Sequence, residues 1–261
     1  MKILLGQTIS FKENPYEYGI EAAVLHIENG GVLIDGNLIV KVGIGRSLQK
    51  SYPQAKVYDY GKSLILPGFI DCHMHYPQTG IIASYGERLI DWLNKYTFPE
   101  EIKFQDKKFA RTMAEFTLNE CLKNGTTTVS SFCTTHSHSV EIFFEEAQKK
   151  NMLVVAGKTC MDRNAPENLL DTVNSAYDDS EILIKKWNNK NRSKYAITPR
   201  FAPTSSPEQL EALGELWKLY PDCIMQTHIA EQKEEIEWVT KLFPKSLDYL
   251  DVYEKFGLIG K

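Results

Sequence analysis

The chain has 261 residues, 43% hydrophobic and 25% charged, with a formal net charge of −4, the composition of an ordinary globular protein with ample core. That balance leaves no basic footprint for nucleic acid or an anionic membrane, and it suits a small neutral substrate better than a polyanion. No run approaches the ~18 apolar residues of a membrane span, and Met1-Lys2-Ile3-Leu4-Leu5-Gly6 is too short for the apolar region of a signal peptide, so a cytoplasmic protein with no membrane partner is expected.

In chain order, residues 1–66 carry short extended stretches at 23–27, 32–34 and 38–42. Asp35-Gly36 between two apolar runs is a hairpin signal, because the left-handed backbone of such turns is cheap for Gly and tolerable for Asp. The segment reads as a small β domain, with His26 a structural strand residue. Next comes Leu66-Pro67-Gly68-Phe69-Ile70-Asp71-Cys72-His73-Met74-His75, an apolar strand pattern ending in two histidines. Side chains alternate along a strand, so His73 and His75 share one face and can grip one ion. The run looks like a buried parallel strand, whose carboxyl end is where α/β folds place their chemistry.

From there strands alternate with helices, the signature of a parallel α/β architecture over 67–261. Strands are expected at 66–74, 126–132, 152–157, 195–198 and 223–228. Helices are expected at 106–123, ended by Asn124-Gly125, at 140–150, at 169–187, after the cap Ser206-Pro207, and at 231–242 and 247–256. An open doubly wound sheet would bring a glycine-rich nucleotide turn, whereas this first strand ends in His-x-His. The expectation is a TIM-type (β/α)8 barrel truncated after about five β/α units. The cysteines Cys72, Cys121, Cys133, Cys160 and Cys223 are scattered and odd in number, and read as reduced, buried small hydrophobes.

His228 ends the fifth strand, at the same rim as His73 and His75. Three imidazoles with an open position are the protein's share of a catalytic zinc site, where bound water ionises near neutral pH. Glu231, three residues on, can carry the proton that hydrolysis of a C–N bond requires. The second pair, His136 and His138, sits among Ser and Thr and is expected in a rim loop as a non-ligand. Arg200-Phe201 ends the fourth strand. There it either meets a substrate carbonyl or carboxylate while the ring stacks on it, or is a surface arginine beside a core Phe. Gln78 is an amide contact or a loop residue. The fourth strand ends without a lysine able to bridge two metals, so one metal per site is expected, with Lys158 either qualifying that count or held in an ion pair at the rim.

These residues resemble the amidohydrolase superfamily and, within it, the guanine deaminases. The resemblance rests on Pro67-Gly68-Phe69-Ile70-Asp71-Cys72-His73-Met74-His75-Tyr76-Pro77-Gln78, on the discriminating string Asp91-Trp92-Leu93-Asn94-Lys95-Tyr96-Thr97-Phe98-Pro99-Glu100, and on Asn124-Gly125-Thr126-Thr127-Thr128, Gly157-Lys158, Met161-Asp162, Ile197-Thr198-Pro199-Arg200-Phe201 and Thr227-His228-Ile229-Ala230-Glu231. It implies His73, His75 and His228 as ligands of one Zn(2+), Glu231 as proton shuttle, and Gln78, Arg200 and Phe201 as substrate contacts. The implied reaction is hydrolytic deamination of guanine to xanthine and ammonia by a homodimer whose small domain includes residues 1–66. The family's remaining metal-site residues, a His-Gly on the next strand and an Asp on the last, have no counterpart before Lys261. The resemblance therefore implies an amino-terminal portion with an incomplete site. Two other readings stay open. One is another deaminase of this family, acting on oxidised guanine, adenosine-type compounds or triazines, against which the 92–100 string argues. The other is a non-catalytic binding protein or remnant with exposed sheet edges.

Overall fold

The structure, a computed structural model, describes residues 1–86 and 88–260. Two compact units divide the chain at Gly68 and Phe69.

The first unit holds one sheet of four strands, β1 (Lys2–Phe11), β2 (Val24–Asp35), β3 (Leu38–Ile44) and β4 (Lys56–Ile65), in the order β3-β2-β1-β4. β1 runs antiparallel to β2 and parallel to β4, and β2 runs antiparallel to β3. The hairpin falls where Asp35-Gly36 signals it. Asp35 pairs with Leu38 and stays in the strand, while Gly36 takes the left-handed backbone at φ 57°. Helix α1 (Gly45–Ser51) turns Leu48 onto Ile3 and Leu33, a small apolar core. His26 lies on β2 and its Nε2 meets Gln7 Oε1 at 3.2 Å, a strand-face contact.

The second unit is built on a parallel sheet. Its strands are β5 (Phe69–His75), β6 (Thr126–Phe132), β7 (Leu153–Gly157), β8 (Thr159–Cys160), β9 (Ser193–Pro199) and β10 (Ile224–Met225), with β10-β9-β7-β6-β5 as the main path and β8 pairing with β9. Between them lie α2 (Phe98–Ile102), α3 (Lys107–Lys123), α4 (Ser137–Lys149), α5 (Val173–Trp187) and α6 (Pro207–Leu219). α7 (Lys233–Leu242) and α8 (Tyr249–Lys255) follow the last strand. Caps act where the sequence places them. Gly125 takes φ 83° just past α3, and Ser206 Oγ accepts from the Gln209 N–H at 3.1 Å to start α6, each satisfying backbone groups that a helix end leaves free. Apolar faces of α3, α4, α5 and α6 bury Leu118, Phe143, Phe144, Leu183 and Leu213 with Val154 and Ile197 of the sheet in one core. β7 comes so close to β9 that a Cβ on Gly157 would sit 1.6 Å from the Ala196 oxygen, which leaves room for glycine alone.

Several expectations change. β5 is an edge strand of the described sheet, and Phe69 and Ile70 are 56% and 66% exposed, so it is not the buried strand its apolar run implies. Regular pairing of the last strand stops at Met225, although Gln226 N and His228 N still donate to Ile197 O and Arg200 O at 3.0 and 3.1 Å. α4 begins at Ser137, so His136 keeps to the loop after β6 as expected, whereas His138 lies in the first turn of the helix. Cys133, Cys160 and Cys223 are buried, but Cys121 is half-buried and Cys72 exposed, and all five are free. Among the described residues no helix is long and apolar enough to cross a membrane.

Candidate active site

β5 delivers His73 and His75 two residues apart on one face, and the segment after β10 delivers His228 against them. The His75 and His228 rings lie 5.0 Å apart and nearly parallel, with their Nε2 atoms at 3.0 Å, and His73 stands edge-on to both. One donor nitrogen from each histidine falls within 4.8 Å of the others. Zn–N bonds of ~2.0–2.1 Å at tetrahedral angles put ligand nitrogens roughly 3.4 Å apart, so the spacing suits one small cation.

The backbone sets the protonation of His228. Its Nδ1 donates to the Arg200 carbonyl oxygen at 2.7 Å, and its own carbonyl accepts from the Tyr253 hydroxyl at 2.7 Å. Because a carbonyl only accepts, Nδ1 carries the hydrogen and Nε2 presents its lone pair to His75. Burial, with the Arg200 charge behind it, lowers the His228 pKa to about 3, and the same causes hold His75 well below the usual range. Both rings are thus in the neutral form that binds metal. Without a cation, the 3.0 Å contact calls for a hydrogen on His75 Nε2 facing the bare His228 Nε2, and a metal ion held by the three ring nitrogens would take that hydrogen's place, so the donor set fits a metal ion. Beneath the rings Phe132, at the end of β6, stacks on His75 at 4.7 Å and lies tilted against His228 at 4.3 Å.

A cavity of about 270 Å³ opens over this cluster, toward the small end for small-molecule sites. His73, His75, His228, Gln78, Arg200 and Glu231 contribute its polar lining, and Phe201, Leu89, Trp92 and Leu93 its apolar walls. Every candidate residue of the sequence reading therefore borders one cavity. Glu231 reaches its mouth from a turn in which Ala230 takes φ 56°. Burial first and the neighbouring Glu235 second raise its pKa, against the pull of Arg200. Such a carboxyl is suited to exchanging protons. Arg200 is no surface residue. It is buried, its guanidinium lies 5.4 Å over the Phe98 ring, and it is paired with Glu101.

Other residues stand apart. His138 Nε2 donates to the Phe104 carbonyl at 2.7 Å and stacks on His136. Neither ring lines the cavity. Burial, then the charges of His138 and Lys158, lowers His136 to about 4. Lys158 pairs with Asp171 at 2.6 Å, buried rather than at the rim. The sequence reading missed Glu101, Phe132 and Glu235. The string holding Trp92 and Phe98 ends one residue short of Glu101, and nothing local marks a buried carboxylate. Phe132 closes a strand of threonines and serines, and only its place beneath the histidines sets it apart.

The sequence model of the amidohydrolase family matches residues 64–261. A curated relative, guanine deaminase of Escherichia coli K12, is 47% identical over 250 residues, covering 95% of this chain and 56% of the relative. A solved E. coli guanine deaminase superposes with TM-score 0.95 at 45% identity over 100% of this chain and 61% of that one. Guanine deaminase from C. acetobutylicum, solved with guanine bound in its active site, superposes with TM-score 0.90 at 32% identity over 100% of this chain and 60% of that one. The chain spans little more than half the length of the E. coli relative.

Proposed function

This chain belongs to the amidohydrolase family, and we propose that it serves the zinc-dependent hydrolytic deamination of guanine to xanthine and ammonia. The observation that carries the proposal is the convergence of three imidazoles, a carboxyl of raised pKa, and the side chains of Arg200 and Gln78 on one cavity. The guanine deaminases among its relatives, one with guanine bound, support the choice of substrate.

His73, His75 and His228 would hold one zinc ion through a ring nitrogen each. The chemistry such an ion supplies is Lewis acidity, which brings the ionisation of water toward neutral pH. Glu231 takes the proton of the attacking water on its carboxylate and returns it to the ring nitrogen beside the amino-bearing carbon, then assists the amine as it leaves. Arg200 donates to the purine oxo group and Gln78 meets the adjoining amide edge, while Phe201 walls the ring. Selectivity follows because a wrong base leaves these enclosed polar groups unpaired. The same reading takes residues 67–261 as part of a (β/α)8 barrel and residues 1–66 as a small β domain, in a cytoplasmic, homodimeric enzyme.

The test is made on the full-length product of the reading frame, by metal analysis and by loss of guanine absorbance. Glu231→Gln should keep one zinc per site and cut turnover by roughly 10²–10⁴-fold. Near-normal turnover in that variant would sink the assignment, and no guanine loss by the unaltered protein would sink the function.

A further inference from the structure

Both residues read above as purine contacts end on a single buried carboxylate. Glu101, in α2, is 0% exposed and Arg200 3%. Nη1 of Arg200 donates to both carboxylate oxygens, each at 2.9 Å; burial raises the Glu101 pKa, and the Arg200 charge first, then hydrogen bonding from Arg200 and the Gln78 side chain, oppose that rise and favour the carboxylate. Gln78 and Arg200 line the cavity, whereas Glu101 lies behind them.

The chemistry of the carboxylate dictates what faces forward. An ionised carboxylate accepts and cannot donate, so Gln78 must turn its NH2 group toward Glu101 and its carbonyl oxygen the other way. Arg200 commits Nη1 to Glu101. Among the described residues its Nη2 and Nε find no protein acceptor, and Phe98 against the guanidinium face fixes the plane in which they point. The cavity thus presents donors beside an acceptor.

We propose that Glu101 is a specificity-determining positioning residue, which by accepting from Arg200 and Gln78 together makes the cavity complementary to a lactam edge, a carbonyl next to a ring N–H. The inverse edge, a ring nitrogen that accepts beside an exocyclic amine that donates, meets donor with donor and acceptor with acceptor. This deepens the guanine reading and rests on it.

Full-length, zinc-loaded protein is assayed for kcat and KM with guanine and with 2,6-diaminopurine, which keeps the 2-amino leaving group and inverts the neighbouring edge. Glu101→Gln, isosteric but able to donate, releases the Gln78 orientation. The ratio of kcat/KM for guanine over 2,6-diaminopurine should fall by roughly 10–100-fold, mainly through a higher KM for guanine, with zinc content unchanged. Glu101→Asp remains an acceptor and should hold the ratio within about threefold while both kcat/KM values drop. Each ratio is taken within one preparation, so unfolded protein cancels from it. A Gln variant with the wild-type ratio overturns the proposal, as does an Asp variant whose ratio collapses. Should the Gln variant fail to fold, the Asp variant decides alone. Wild-type protein that leaves guanine untouched overturns the functional reading itself, before any substitution is made.

Discussion

The backbone N–H of Glu231 donates to Oε2 of Glu235 at 2.8 Å. Glu235 is buried one turn into α7. It also faces the Gln232 N–H at 3.3 Å and accepts from the Tyr249 hydroxyl at 2.7 Å. A buried carboxylate thus pins, from inside, the turn that holds Ala230 in a left-handed conformation and presents Glu231. Removing it with Glu235→Ala strands these donors and should cost about 2–4 kcal/mol, measured by urea denaturation. Glu235→Gln keeps an accepting oxygen and should cost less. It also removes the negative charge that helps raise Glu231, so the acidic limb of kcat/KM assigned to Glu231 should move to lower pH. A limb that stays in place would uncouple the two residues.

The histidine cluster makes stability depend on pH with a defined sign. An unfolded histidine titrates near 6.5, whereas folded His228 is lowered to about 3. Below pH 6.5 the unfolded chain therefore takes up a proton that the folded chain refuses. The full contribution stands above 6.5 and is lost as pH falls toward 3, at no more than about 1.4 kcal/mol per pH unit for one residue. Urea midpoints of the metal-free chain at pH 7 and pH 5 should show the decline, and His228→Asn should flatten it. Zinc at about 100 times its dissociation constant should stabilise the chain by roughly 2.7 kcal/mol, and His228→Ala should abolish that gain.

Lys158 and Asp171 form an ion pair that is 1% and 8% exposed. Burial raises the Asp171 pKa and Lys158 opposes the rise. Breaking the pair with Lys158→Met leaves an uncompensated buried carboxylate and should cost about 3–5 kcal/mol. Replacing both, as Lys158→Met with Asp171→Leu, should recover most of the loss. A double mutant no more stable than the single one would mean the pair is needed for packing and not only for mutual neutralisation.

Phe132 is the floor on which His75 and His228 rest. Phe132→Ala should destabilise by about 3–5 kcal/mol as a core truncation. It should also weaken zinc binding by roughly 10–100-fold, since orientation of the rings is lost while every ligand stays in place. Competition with a fluorescent zinc chelator reads the second effect separately from the first.

What the sequence by itself determined is local in origin. The two-residue alternation that puts His73 and His75 on one face, the Gly125 stop, the Ser206 cap and the Gly36 turn each depend on a few neighbouring residues, and each recurs in the structure. His73, His75, His228 and Arg200 could be singled out because strand ends are where a parallel sheet exposes side chains, whereas the substrate roles of Gln78, Arg200 and Phe201 came by resemblance. Only the tertiary structure decided that His228 meets His75 across 153 positions and that Arg200 turns from solvent to Glu101 across 99. It also decided that Glu235 fastens the turn of Glu231, that His138 belongs to a helix, and that the apolar start of β5 is exposed. Which buried polar group satisfies which, and which face of a strand is covered, are set by packing between elements remote in the chain, and no local pattern encodes that choice.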